Sequence, residues 1–188
     1  MDTGKVDYSK ESVLVVDDDF HIRETLQKLL KALGFISSTA ENGLEALKML
    51  EEEEYSFLLT DMRMPELDGI DLINRVSHKY PNMSIIAMTG YSEGYKYIDF
   101  INAGAVDFIK KPFEVDELEA KVKRIITERN LREKLNWLSI TDSLTGLYNQ
   151  RHFYSRLQEE IIRASRQKHS FSLVILDLDN FKEYNDAH

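Results

Sequence analysis

Cysteine is absent from the 188 residues. Without thiols the chain has no disulfide framework, no thiolate metal site and no cysteine nucleophile. Long apolar runs are missing too. None approaches the roughly 18 residues that cross a bilayer as a helix, and the first ten residues, MDTGKVDYSK, lack the apolar core of a secretory signal. A cytoplasmic protein with no membrane partner is the expectation. Positive charge is scarce in the first part. Residues 1–116 carry 22 acidic and 12 basic side chains, residues 117–169 carry 7 and 11, and the last 19 carry 4 and 1, within a net charge of −9. An acidic first part repels phosphate backbones, so nucleic acid is not an expected partner. The change of sign near residue 117 is a first hint of a boundary.

What is present is an alternation of two periods. Apolar runs of strand length occur at Val13–Val16, Phe57–Leu59, Ile85–Met88 and Val106–Ile109, with a weaker one at Phe35–Thr39. Between them, Phe20, Leu26, Leu29, Leu30 and Leu33 follow a helical period that ends at Gly34, a C-terminal cap position. Leu44, Leu47, Met49 and Leu50 mark the next helix, and Ile70, Ile73 and Val76 a third. Continuous rather than alternating apolar strands, separated by helices, imply a parallel sheet covered on both faces. The expected fold is α/β, a doubly wound five-stranded parallel sheet within residues 1–116.

Residues Glu114 to Leu144 contain neither proline nor glycine. Leu118, Val122 and Ile125 fall at helical spacing, as do Leu131, Leu135 and Leu138, the two sets about one residue out of phase. One long helix is expected, its first half packed on the domain. Its second stripe reads either as a surface helix or as a short coiled coil. The domain plan is therefore 1–116, a connecting helix at 117–140, and a second unit at 141–188. In that unit Phe153–Arg166 reads as a helix and Ser170–Leu178 as an apolar strand. Such a strand needs neighbours, so the unit reads as incomplete.

Open parallel sheets bind ligands beyond the carboxyl ends of their strands. Asp17, Asp18 and Asp19 follow the first strand, Asp61 ends the third, Thr89-Gly90 the fourth, and Lys110-Lys111-Pro112 the fifth. Singly, each has an ordinary reading: a helix N-cap for an Asp or Thr, a solvated charge for a Lys. Together they form an oxygen-rich, cation-poor edge. Carboxylates this close repel unless a cation joins them. Hard oxygen ligands suit Mg²⁺, and a free central carboxylate can attack a phosphoryl group. A dinucleotide-binding enzyme is excluded, since three Asp stand where a glycine-rich turn would cradle a pyrophosphate.

The stretches VLVVDDDFHIRETL, LLTDMRMPELDGI, IIAMTGY and GAVDFIKKPF, within residues 12–113, resemble the response-regulator receiver domain of two-component signalling. The resemblance implies a flavodoxin-like fold and a phosphoacceptor at Asp61. It implies Mg²⁺ held by Asp17, Asp18, Asp61 and the backbone carbonyl of Arg63, with Asp19 outside the acidic pair. The switch hydroxyl falls on Thr89 and the site lysine on Lys111, immediately before the cis-forming proline. The aromatic switch falls on Phe108, which lacks the hydroxyl of the Tyr found in many relatives. A histidine kinase or phosphotransfer protein is the implied phosphodonor.

Residues 139–188, through TDSLTGLYNQRHF and LVILDLDNFKEYNDAH, resemble the start of a GGDEF domain, the diguanylate cyclase family. That resemblance implies Asp177 and the Leu178 carbonyl as metal ligands, Asn180 and Phe181 backbone N–H groups and Lys182 at phosphate, and Asn185 at guanine. Asp177-Leu-Asp179 also matches a haloacid-dehalogenase nucleophile, but that family wants Thr where Phe181 stands. The Gly-Gly-Asp/Glu-Glu-Phe turn is not within the 188 residues, so this chain is not expected to make cyclic di-GMP. The expectation is a fragment of a longer regulator in which phosphorylation controls a cyclase, with a homodimer through the receiver surface and helix 114–138 as the candidate assembly. The alternative is a receiver acting as a phosphorylation-dependent protein-binding module without cyclase output.

Overall fold

The computed structural model describes residues 6–90, 96–177, 179–180 and 186. The chain divides into two units, Met1–Leu131 and Arg132–His188.

The first unit holds five strands, β1 (Ser12–Val16), β2 (Ile36–Ala40), β3 (Phe57–Asp61), β4 (Ser84–Thr89) and β5 (Asp107–Lys110). All pairings are parallel, in the order β2-β1-β3-β4-β5. The helices are α1 (Phe20–Leu33), α2 (Gly43–Glu52), α3 (Gly69–Lys79), α4 (Tyr97–Ala103) and α5 (Val115–Ile140). Alternate residues of each central strand face opposite layers. Leu14, Val16, Leu58, Ile85 and Ala87 pack with Ala46, Leu50, Leu72, Ile73, Val76 and Phe100 from α2, α3 and α4. Val13, Val15, Phe57, Leu59, Ile86 and Met88 pack with Leu26 and Leu30 of α1 and Leu118, Val122, Ile125 and Ile126 of α5. Burial on both faces explains why these strands read as unbroken apolar runs, each such side chain contributing roughly 1.5–3 kcal/mol.

The helix boundaries follow local chemistry. Asp19 caps α1, its side chain accepting from the His21 and Ile22 N–H groups, and Gly34 ends the helix at φ 103°. Asn42 caps α2 and Asp68 caps α3. The expected long helix is present as α5, ending at Ile140 within the proline- and glycine-free stretch. Leu118 and Val122 are buried, whereas Leu131, Leu135 and Leu138 are 57%, 59% and 61% exposed, so the second stripe is largely uncovered among the described residues.

In the second unit, Thr141 and Tyr148 form an isolated antiparallel bridge. The Asp142 carboxylate closes the turn between them, accepting from Leu144 N–H, Thr145 N–H and the Thr145 hydroxyl. Asn149 caps helix α6 (Gln150–Gln167). The apolar stretch expected as a strand from Ser170 is not one. Residues 169–177 have no regular structure, and Val174, Ile175 and Leu176 are 76–90% exposed. A strand exists only through its ladder partners, and among the described residues this stretch has none.

Candidate phosphoryl-transfer site

The order β2-β1-β3 reverses strand progression at β1, opening a crevice beyond the carboxyl ends of β1 and β3. Register brings the functional residues to that edge. Val16 pairs with Thr60, one residue before Asp61, and Asp61 itself pairs with Met88, one before Thr89. Thr89 pairs with Lys110, and the Lys111 N–H donates to the Thr89 carbonyl at 2.8 Å.

Lys111 Nζ sits between two carboxylates. It donates to Asp17 Oδ2 at 2.5 Å and also to Asp61 Oδ1. Asp17 is 1% and Asp61 6% exposed. Burial pushes the Asp17 carboxyl above its ordinary range, against the pull of Lys111 and the Asp19 N–H. Burial opposes the charge on Lys111 as well. The hydrogen bonds to Asp17 and Asp61 outweigh it and hold the ammonium above its usual range.

Three further groups shape the edge. The Arg63 N–H donates to Asp61 Oδ2 at 2.8 Å, fixing the second carboxylate oxygen. The Asp19 N–H donates to Asp17 Oδ1 at 3.0 Å. Arg23 Nη1 donates to the Asp17 carbonyl at 2.6 Å and lies 5.8 Å from the Phe20 ring centroid. Reading the sequence missed Arg23, whose only signal is its place in the first turn of a helix that starts beside the acidic run.

The site residues named from sequence separate into groups. Asp17, Asp61 and Lys111 meet directly, and the Lys111–Pro112 peptide is cis. Asp18 is exposed beside them. Thr89 is buried, its hydroxyl donating to the Gly90 carbonyl at 3.2 Å. Phe108 is half-buried, its ring centroid 5.5 Å from that of Tyr97 and 5.8 Å from that of Phe100, with Lys121 Nζ 5.7 Å from it. In the second unit, Asp177 and Asn180 are exposed, Asn180 at φ 58°. Leu178, Phe181, Lys182 and Asn185 lie outside the described residues.

Among the described residues, no three or more His, Cys, Asp or Glu side chains are grouped so as to hold a metal ion by themselves. No described helix is long and apolar enough to cross a membrane.

This geometry meets an independent finding: the profile of the response regulator receiver domain matches residues 13–123. The chain belongs to that family. A second profile, that of the diguanylate cyclase GGDEF domain, matches residues 139–188. The chain is thus the receiver domain of a two-component response regulator with a GGDEF-like C-terminal region. The DNA-binding transcriptional regulator NtrC of Escherichia coli K12 is 38% identical over 163 residues, 87% of this chain and 34% of that one. The chain spans about a third of the length of the curated NtrC relatives it matches. A solved two-component system response regulator/GGDEF domain protein superposes with a TM-score of 0.61 at 29% identity, covering 64% of this chain and 51% of that one. The regulator TrrA of Thermotoga maritima, solved with Mg²⁺ and BeF, gives 0.56 at 36% identity, over 61% and 97%. The doubly wound five-stranded parallel sheet read from the strand pattern is the fold observed, and it is the receiver fold that the motifs imply.

Proposed function

We propose that the receiver accepts a phosphoryl group on Asp61 and that, in the intact regulator, the modified state controls a diguanylate cyclase. The observation that carries this reading is Lys111 Nζ held between Asp17 and Asp61. A lysine there neutralises charge on oxygens gathered around one carboxylate, as phosphoryl transfer requires. An Asp61 oxygen forms the new P–O bond, and the bond to the donor's leaving group breaks, that group keeping the electron pair. A histidine kinase or phosphotransfer protein is the natural donor.

The donor set fits Mg²⁺. Asp17, Asp18, Asp61 and the Arg63 carbonyl are hard oxygens, and one ammonium leaves three carboxylates with negative charge in excess. The open arrangement suits an ion that keeps several of its waters. Bound there, Mg²⁺ would offset the charge of the phosphoryl oxygens. TrrA, the relative solved with Mg²⁺ and BeF, supports the assignment. Downstream, phosphate adds about −1.5 to −2 charge beside Thr89, biasing an existing equilibrium at Thr89 and Phe108. Asp177, Leu178, Asn180, Phe181, Lys182 and Asn185 would belong to the cyclase half of the intact protein.

Intact-mass spectrometry with Mg²⁺ and acetyl phosphate tests the assignment. The wild-type chain gains one phosphoryl group and Asp61→Asn gains none. Undiminished labelling of Asp61→Asn sinks it.

A further inference from the structure

Gly69 opens α3 and is not one of the glycines with positive φ, so no left-handed backbone calls for glycine there. Alanine is the better helix former. What excludes alanine is space. A Cβ at residue 69 would lie 2.2 Å from the Asp61 carbonyl oxygen, 2.8 Å from Met62 Cα and 3.1 Å from the Asp61 carbonyl carbon. All three are backbone atoms, which cannot swing aside as a side chain does. The contact is also fastened, because the Gly69 N–H donates to the Met62 carbonyl at 3.0 Å.

The segment between these residues cannot retreat. Met62 is fully buried and Leu67 is 5% exposed. Leu67 lies under Gly43 of α2, where a Cβ would come within 2.9–3.0 Å of its side chain and carbonyl oxygen. The loop from 62 to 68 is thus held between the starts of two helices. It carries the Arg63 N–H that holds Asp61 Oδ2. The place of the Asp61–Met62 peptide therefore decides where the carboxylate stands.

We propose that Gly69 is a positioning residue for Asp61: lacking a side chain, it lets the first turn of α3 lie against the Asp61–Met62 peptide and so aims the carboxylate at Lys111. The proposal rests on the phosphoacceptor reading for its catalytic consequence, but its structural half stands without it. A shift near 1 Å in a reacting group can cost about a hundredfold in rate.

The test compares Gly69→Ala with Gly34→Ala. Gly34 lies at φ 103° at the end of α1, with nothing nearer than 4.0 Å to an added Cβ, so its substitution strains the fold without touching the site. Two readouts are taken where circular dichroism shows each variant folded: hydrogen exchange of the Arg63 amide in metal-free protein, and the labelling rate at saturating acetyl phosphate with Mg²⁺. Gly69→Ala should speed Arg63 exchange about tenfold and slow labelling about ten- to a hundredfold, with Gly34→Ala within about twofold of wild type in both. Wild-type Arg63 exchange in a folded Gly69→Ala chain overturns the proposal, as does equal loss in Gly34→Ala. If Gly69→Ala does not fold, Asp68→Ala decides. It unties the same turn by removing the acceptor of the Asp71 N–H, and should speed Arg63 exchange, whereas unchanged exchange overturns the proposal. Absence of label on wild-type Asp61 would defeat the phosphoacceptor reading instead, and the exchange measurement would still decide the role of Gly69.

Discussion

Glu11, the residue before β1, forms an ion pair with Arg129 of α5 across 118 positions of sequence. Glu11 is 7% exposed, and the Arg129 guanidinium lies 5.8 Å from the Phe57 ring centroid. A second tie runs alongside, as the Tyr8 hydroxyl donates to Glu119 at 3.3 Å and the Tyr8 ring stacks on Phe35 at 4.5 Å. The segment preceding the sheet thus grips α5 over three turns, ending just before the first unit does at Leu131.

Removing one partner of this pair strands the other. Arg129→Met should destabilise the receiver by roughly 2–4 kcal/mol, because it leaves the Glu11 carboxylate buried and unpaired. Pairing it with Glu11→Leu should recover most of that loss, since apolar replacement of a buried pair is often neutral. Urea denaturation of both variants checks this. A double variant as unstable as Arg129→Met would refute it.

Asp107 supplies a pH dependence. Burial raises its carboxyl, but the Phe108 N–H, Arg124 and Lys121 together outweigh burial and hold it below the ordinary value of 3.8. A depressed carboxyl stabilises the fold above its unfolded value, and that stabilisation is lost as pH falls through the folded one. Asp107→Asn should therefore cost about 1–2 kcal/mol at pH 7 and progressively less below about pH 4. Urea midpoints measured down a pH series decide it, an undiminished gap in acid being the adverse result.

Asp18 separates metal from fold. It is exposed and outside the Lys111 bridge, so Asp18→Ala should leave the melting temperature within a degree or two, about 0.5 kcal/mol, while weakening Mg²⁺ binding and labelling at Asp61. Isothermal titration with Mg²⁺ is the direct check. Equal affinity in the variant would remove Asp18 from the metal site.

Leu131, Leu135 and Leu138 predict the behaviour of the connecting helix. Their stripe is two turns long, short of the three or four heptads of a stable coil. A monomer–dimer equilibrium that tightens on adding beryllofluoride is expected, because a small bias moves a nearly balanced equilibrium. Sedimentation velocity across a concentration series reads it, and superimposable isotherms with and without beryllofluoride would defeat the expectation. Persistence of the change in Leu135→Asp would place the responsive contact on the receiver surface.

Local chemistry alone was enough to read much of the receiver. Apolar runs at residues 13–16, 57–59 and 85–88 could satisfy their backbones and bury both faces only as interior parallel strands. Gly34 could end α1 because glycine enters the left-handed region without cost. The order Asp, Asp, Thr, Lys at successive strand ends followed from those strands. Other features needed the assembled structure, since they depend on atoms far apart in sequence. The motif sets Asp19 outside the acidic pair, and only the start of α1 gives it its task as the cap. The stretch from Ser170 has the composition of a strand, yet a strand is a relation between chains of hydrogen bonds, and without a ladder partner among the described residues it stays irregular. Gly69 looks like any helix start until the Asp61 carbonyl is found 2.2 Å from where its Cβ would be. Glu11 and Arg129 are two ordinary surface charges in one dimension. Folding brings them together because the sheet sets the start of β1 beside α5, and excluding water there turns a weak attraction into a costly one to break.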